Sequence, residues 1–119
     1  MRSNEPSPLS DDERALVDGF LAHEFAGVQE LRVQAKHVTA QRGCDCGCGT
    51  IEFVLDGTRV ARSEAPDPVP VGGIVRDPNG DEVGGLILFV RDGRMHSLEI
   101  YSHTGPLPLP LAEQVTWRG

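Results

Sequence analysis

Val83-Gly84-Gly85-Leu86-Ile87-Leu88-Phe89-Val90-Arg91-Asp92-Gly93-Arg94-Met95-His96-Ser97-Leu98-Glu99-Ile100-Tyr101-Ser102 is the stretch that decides the fold class of this chain. Two strand-like runs flank Asp92-Gly93, a pair that favours a type I′ turn because both residues tolerate positive φ. With Asp92-Gly93 as the tip, Arg91 faces Arg94, Val90 faces Met95, Phe89 faces His96 and Ile87 faces Leu98. Cross-strand mates share a face of the sheet. One face then carries Ile87, Phe89, Leu98 and Ile100 with His96. The other carries Leu86, Leu88 and Val90 with Met95, Ser97, Glu99 and Tyr101. The first strand is apolar on both faces, which predicts a central position.

Working outward, Val71 to Arg76 reads as a strand, closed by the turn Asp77-Pro78-Asn79-Gly80. There proline presets φ, and Asn and Gly accept left-handed conformations. Ala65 to Pro70 is a proline-rich extended connector. His37 to Arg42 and Thr50 to Leu55 read as the two arms of another hairpin. Before them the period changes to helical. Ser10-Asp11-Asp12-Glu13 forms a capping box, and Leu16, Val17, Phe20 and Leu21 make one apolar stripe. This helix is expected to end near Phe25-Ala26-Gly27. Val28 to Ala35 predicts a short second helix. Residues 1–9 read as a flexible tail, and residues 105–119 as an extended Pro/Leu tail docked on the body by Trp117. The expected architecture is α+β in two layers over residues 10–119. Two helices pack on an antiparallel, meander-like sheet of about five strands.

Composition narrows the class. A chain of 119 residues suits one domain. Aromatic residues are 5 % of the chain, so the core must be built from Leu, Val and Ile. Eighteen acidic against 11 basic side chains give a net charge of −7, which repels phosphate backbones and argues against a nucleic-acid partner. No secretory signal is visible in Met1 to Pro6. The longest strongly apolar run, Leu86 to Val90, is too short to span a membrane. The expected compartment is the reducing cytoplasm. Three cysteines cannot complete a disulfide framework, so the thiols are read as free or metal-bound.

Two constellations could carry chemistry. Cys44-Asp45-Cys46-Gly47-Cys48-Gly49 holds all three thiols at one-residue intervals. Thiolates are soft ligands and nucleophiles. Zinc wants four tetrahedral ligands, so His23, His37, His96 or His103 would have to complete a site built on Cys44, Cys46 and Cys48. The spacing is C-x-C rather than the usual C-x-x-C. The ligand count therefore favours cysteines that pack as small apolar residues, and no cofactor is expected. Asp45 between the thiols opposes a nucleophilic role. The second constellation is Glu99, Tyr101 and His103, which alternate along one strand face. A carboxylate, a phenol and an imidazole could do acid–base work. Alternating polar residues are also what the wet side of a strand looks like, and that reading is favoured. Gly72-Gly73 and Gly84-Gly85 lack the context of a phosphate loop.

The string from Leu9 through Arg32, the Cys-x-Cys-x-Cys segment and Leu98-Glu99-Ile100-Tyr101 together resemble a family of small, uncharacterised actinobacterial proteins. The resemblance implies a free-standing bacterial cytosolic domain and carries no activity. The expected function is a small acidic cytosolic binding or interaction domain without evident catalysis. Its partner would be a protein or small molecule, with a homodimer as an open option. The alternatives are metal or thiol handling by the Cys44, Cys46 and Cys48 loop, and a small acid–base enzyme around Glu99, Tyr101 and His103.

Overall fold

The computed structural model describes residues 6–42, 50–55, 60–103, 105 and 107–119. In chain order the elements are β1 (Ser7–Pro8), α1 (Asp11–Leu21), α2 (Val28–Ala35), β2 (Thr39–Gln41), β3 (Ile51–Val54), β4 (Gly72–Arg76), β5 (Glu82–Arg91), β6 (Arg94–Ser102) and β7 (Val115–Arg118). The class is α+β as expected. The sheet has seven strands rather than about five, every pairing is antiparallel, and the order is β1-β2-β3-β6-β5-β4-β7.

Two added strands lie at the edges. Ser7 and Pro8, which the sequence reading placed in a tail, pair with Ala40 and Thr39. Proline is tolerated there because an edge strand need not donate on both sides. At the other edge, Val115 to Arg118 pairs with β4, so the end of the Pro/Leu tail is a strand. The order also replaces the expected meander. β3 and β4 do not pair; β6 lies beside β3, which gives strands β3 to β6 a Greek-key order.

The hairpin tip is as predicted. Asp92 and Gly93 have φ of 54° and 78°, and Val90–Met95 and Arg91–Arg94 are paired. Beyond them the register slips. Phe89 pairs with Ser97 rather than His96, and Leu88 rather than Ile87 pairs with Leu98. One extra residue, His96, sits in β6 as a bulge. A one-residue slip moves every later side chain to the opposite face. Leu98 and Ile100 therefore join Leu86, Leu88 and Val90 on one face, all of them buried. Glu99 and Tyr101 go to the other face with Ile87 and Phe89. The slip is favourable because it brings Leu98 and Ile100 under the helices with Leu86, Leu88 and Val90 instead of leaving them on the other face.

Both helices lie on that buried face. Ser10 Oγ accepts from the Glu13 N–H at 3.1 Å, and Glu13 Oε1 accepts from the Ser10 N–H at 2.8 Å, which is the expected capping box. α1 stops at Leu21, earlier than expected. Arg32 Nε donates to the Leu21 carbonyl at 2.8 Å, so a side chain from α2 satisfies a helix-end acceptor. Gly27, with φ of 85°, is the left-handed start of α2. Leu16, Val17, Phe20, Leu31 and Ala35 join the sheet residues in one core. Trp117 enters this core edge-on to Phe20, centroids 4.9 Å apart. A β-carbon on Gly19 would lie 2.1 Å from the Trp117 ring, so only glycine lets the indole in.

Two polar groups inside this layer matter for stability. Gln34 is fully buried. Its Nε2 donates to the Ala61 and Gly93 carbonyls, both at 2.9 Å, and its Oε1 accepts from the Met95 N–H at 2.9 Å. One side chain thus ties α2 to the tip of the β5–β6 hairpin and to the connector that precedes β4. Glu13 meets Arg42 in a two-pronged pair, with contacts of 2.6 and 2.7 Å. Arg42 also donates to Ser7 Oγ and to the Pro8 carbonyl, so it fastens β1 to the start of α1. The Arg42 guanidinium holds the Glu13 carboxyl below its ordinary range, against the opposing effect of burial.

Candidate functional site

The helices cover one face of the sheet, and among the described residues no helix packs on the other. The register sets out what this helix-free face presents. One row across the sheet runs Glu99, Ile87, Gly72, Arg118 on strands β6, β5, β4 and β7. The next row runs Tyr101, Gly85, Ile74, Thr116. On the other side of the first row lie Glu52, Ser97 and Phe89 on β3, β6 and β5. Ile74, Ile87 and Phe89 are only partly buried, and Tyr101 is 44 % exposed. A strip of apolar and aromatic side chains thus lies open along β5 and its neighbours.

Two glycines shape this strip. At Gly85 the hydroxyl end of the Tyr101 ring covers the backbone, where a β-carbon would come 2.3 Å from the ring. At Gly72 the space is open: a β-carbon would meet nothing nearer than the Leu86 carbonyl oxygen at 3.9 Å. The face therefore has a ridge at Tyr101 and a notch at Gly72. Charge is divided in the same direction. Glu52 and Glu99 stand exposed on the β3–β6 side, and Arg118 stands exposed on the β7 side.

The structure brings part of the Glu99, Tyr101 and His103 constellation together. Glu99 and Tyr101 share the helix-free face. The His103 ring meets Tyr101 edge-on at 5.9 Å. The imidazole partner is Glu82 rather than Glu99, with Nε2 3.2 Å from Oε2. Both side chains of that pair are nearly half exposed, so water screens it and its contribution is small. Clefts of about 430 and 270 Å³ lie beside Arg76, Asp77 and Pro78 near the Pro/Leu segment, and neither is lined by Glu99, Tyr101 or His103. Acid–base catalysis gains from a site that excludes water. These three residues lie outside both clefts, on the open surface of the sheet.

Cys44, Cys46 and Cys48 lie outside the described residues. Their flanks are described: β2 and β3 pair through Gln41 and Glu52, as the two-armed hairpin reading expected, and Arg42, the last described residue before the cysteines, is clamped to Glu13. Of the proposed fourth ligands, His23 directs Nδ1 to the Gly19 carbonyl at 3.1 Å. Among the described residues no three His, Cys, Asp or Glu side chains stand together as a metal site. Among the same residues no helix is long and apolar enough to cross a membrane.

The helix-free face itself was missed by sequence reasoning, because the bulge at His96 decides which residues share it. No known protein family, curated protein or solved structure matches this chain.

Proposed function

We propose that this chain is a small, acidic, non-catalytic interaction domain of the cytoplasm that binds through the helix-free face of its sheet. The observation that supports the reading is the open strip of Ile74, Ile87, Phe89 and Tyr101 on strands whose other face is fully covered. Scattered apolar residues on a surface need no explanation, but a contiguous strip rimmed by charge marks a contact surface. Tyrosine at the ridge suits this role, because it buries large area with few rotors and keeps a polar tip. The rim of Glu52 and Glu99 favours a partner surface that sets cationic groups beside apolar ones.

The test is photo-crosslinking in the producing cell. A benzophenone amino acid replaces Phe89 on the strip or Val33 on the outer surface of α2. The reading expects covalent adducts from position 89 and none from position 33. The absence of adducts from position 89 would overturn it, and equal yields from both positions would show that the contact is not specific to the sheet.

A further inference from the structure

We propose that the partner of the helix-free face is a second copy of this chain, in an isologous dimer whose two-fold axis runs along β5. This rests on the reading of that face as the contact surface and names its occupant. A two-fold axis parallel to the strands exchanges the β3–β6 side with the β4–β7 side and keeps each residue's height along the strand. The rows described above then match themselves. Ile87 and Phe89 lie on the axis and meet their own copies. Tyr101 springs from β6 but lays its ring over Gly85 on β5, so it falls close to the axis beside the partner's Tyr101. Glu99 falls over the notch at the partner's Gly72, where no β-carbon obstructs it, and points toward the partner's Arg118 one strand further out.

Across these rows shape and charge are complementary under the same operation, although Arg91, exposed on the same face at the tip of β5, meets its own copy at that end of the axis. Glu99 enters the notch at Gly72, and the carboxylate side meets the guanidinium side. An isologous contact requires this kind of self-complementary patch. Stacked sheets sit about 10 Å apart with strands about 30° from parallel. The match therefore holds best on β6, β5 and β4 near the axis and loosens toward the outer strands. Seven strands about 4.8 Å apart make the face roughly 30 Å wide. A stable interface needs only about 800 Å² from each partner. The net charge of −7 does not forbid self-association, because salt screens beyond about 8 Å and leaves the facing groups to decide.

The experiment is sedimentation equilibrium of the untagged protein over a roughly hundredfold concentration range. Wild type is expected at twice the chain mass. Ile87→Glu sets two carboxylates against each other at the axis and is expected to give monomer. Glu99→Arg is expected to weaken the dimer by at least about tenfold, and Glu99→Arg combined with Arg118→Glu to restore it. Glu99 and Arg118 are exposed, so the charge swap leaves folding intact even if Ile87→Glu does not. A wild type at the chain mass throughout would overturn the dimer. A dimer indifferent to Glu99→Arg, or a swap that fails to restore it, would overturn this geometry. In a monomeric wild type, crosslinks from position 89 to another protein would preserve the contact surface and discard the second copy, so the two failures are distinct.

Discussion

Replacing Gln34 by Leu removes the amide that joins three parts of the chain, and the structure sets the size of the effect. Leucine has nearly the same length and is a better helix former, so the volume and the helix tolerate it. The loss lies in the groups left behind. The Met95 N–H sits in a buried stretch of β6 beside the bulge and has Gln34 Oε1 as its acceptor at 2.9 Å. The Gly93 carbonyl retains the Ser63 N–H at 2.7 Å, so it stays satisfied. The Ala61 carbonyl belongs to an exposed residue and can turn to water. One buried donor is therefore orphaned, and two anchoring bonds are lost. An orphaned buried donor costs about 1–3 kcal/mol, and the lost bonds add about 1 kcal/mol, so the expected destabilisation is about 3 kcal/mol. Against a total stability of about 5–15 kcal/mol for a domain, that is large. Urea unfolding measures the total, and hydrogen exchange reads the Met95 amide directly. A change below about 0.5 kcal/mol, with the Met95 amide as protected as before, would refute the reasoning.

Glu13→Gln is expected to cost about 2 kcal/mol at neutral pH, since the two-pronged charge-assisted pair with Arg42 is lost and solvent reaches the arginine side. Because the folded carboxyl titrates below its unfolded value, the pair contributes fully above about pH 4.3 and fades as pH falls through the folded value. Wild type and variant should thus converge in acid unfolding curves, and a gap that widens toward low pH would refute the assignment. Gly19→Ala gains about 1 kcal/mol in helix propensity but forces a β-carbon into the Trp117 ring, at a cost of about 1–3 kcal/mol. The variant is expected to have a lower midpoint and altered Trp117 fluorescence, and an unchanged spectrum would contradict the packing. Elemental analysis of untagged protein is expected to find no stoichiometric zinc, because three sulfurs at C-x-C spacing fall one ligand short. One equivalent of zinc that survives dialysis and is lost on Cys46→Ser would promote the metal reading.

What was legible in the sequence is what depends on near neighbours. Ser10 and Glu13 are three residues apart, and the box they form needs nothing else. Asp92-Gly93 carries its turn preference in its own backbone. Val28 to Ala35 matched the second helix because its apolar spacing is local. The bulge at His96 left no such mark. A single extra residue is visible only when Leu98 and Ile100 must share a face with Leu86 and Leu88, and that demand comes from the helices above them. The pairing of β3 with β6 is likewise set by which buried faces fit, across more than forty residues of chain. Missing the bulge misassigned the faces: Tyr101 and Glu99 were grouped with Leu86 and Leu88 instead of Ile87 and Phe89. Gln34 had a readable signal, a polar residue within the stripe of Leu31 and Ala35. The Glu13–Arg42 pair had none, since the two residues meet only through the fold.

Carbene footprinting tests the central claim most directly. The protein is labelled inside the producing cell and again after purification and dilution, and the modified peptides are quantified. A covered helix-free face predicts that labelling of Ile74, Ile87 and Tyr101 rises on purification and dilution while that of Val33 on α2 stays constant. Equal labelling of Ile74, Ile87 and Tyr101 in the two conditions would contradict the claim that this face of the sheet is a contact surface.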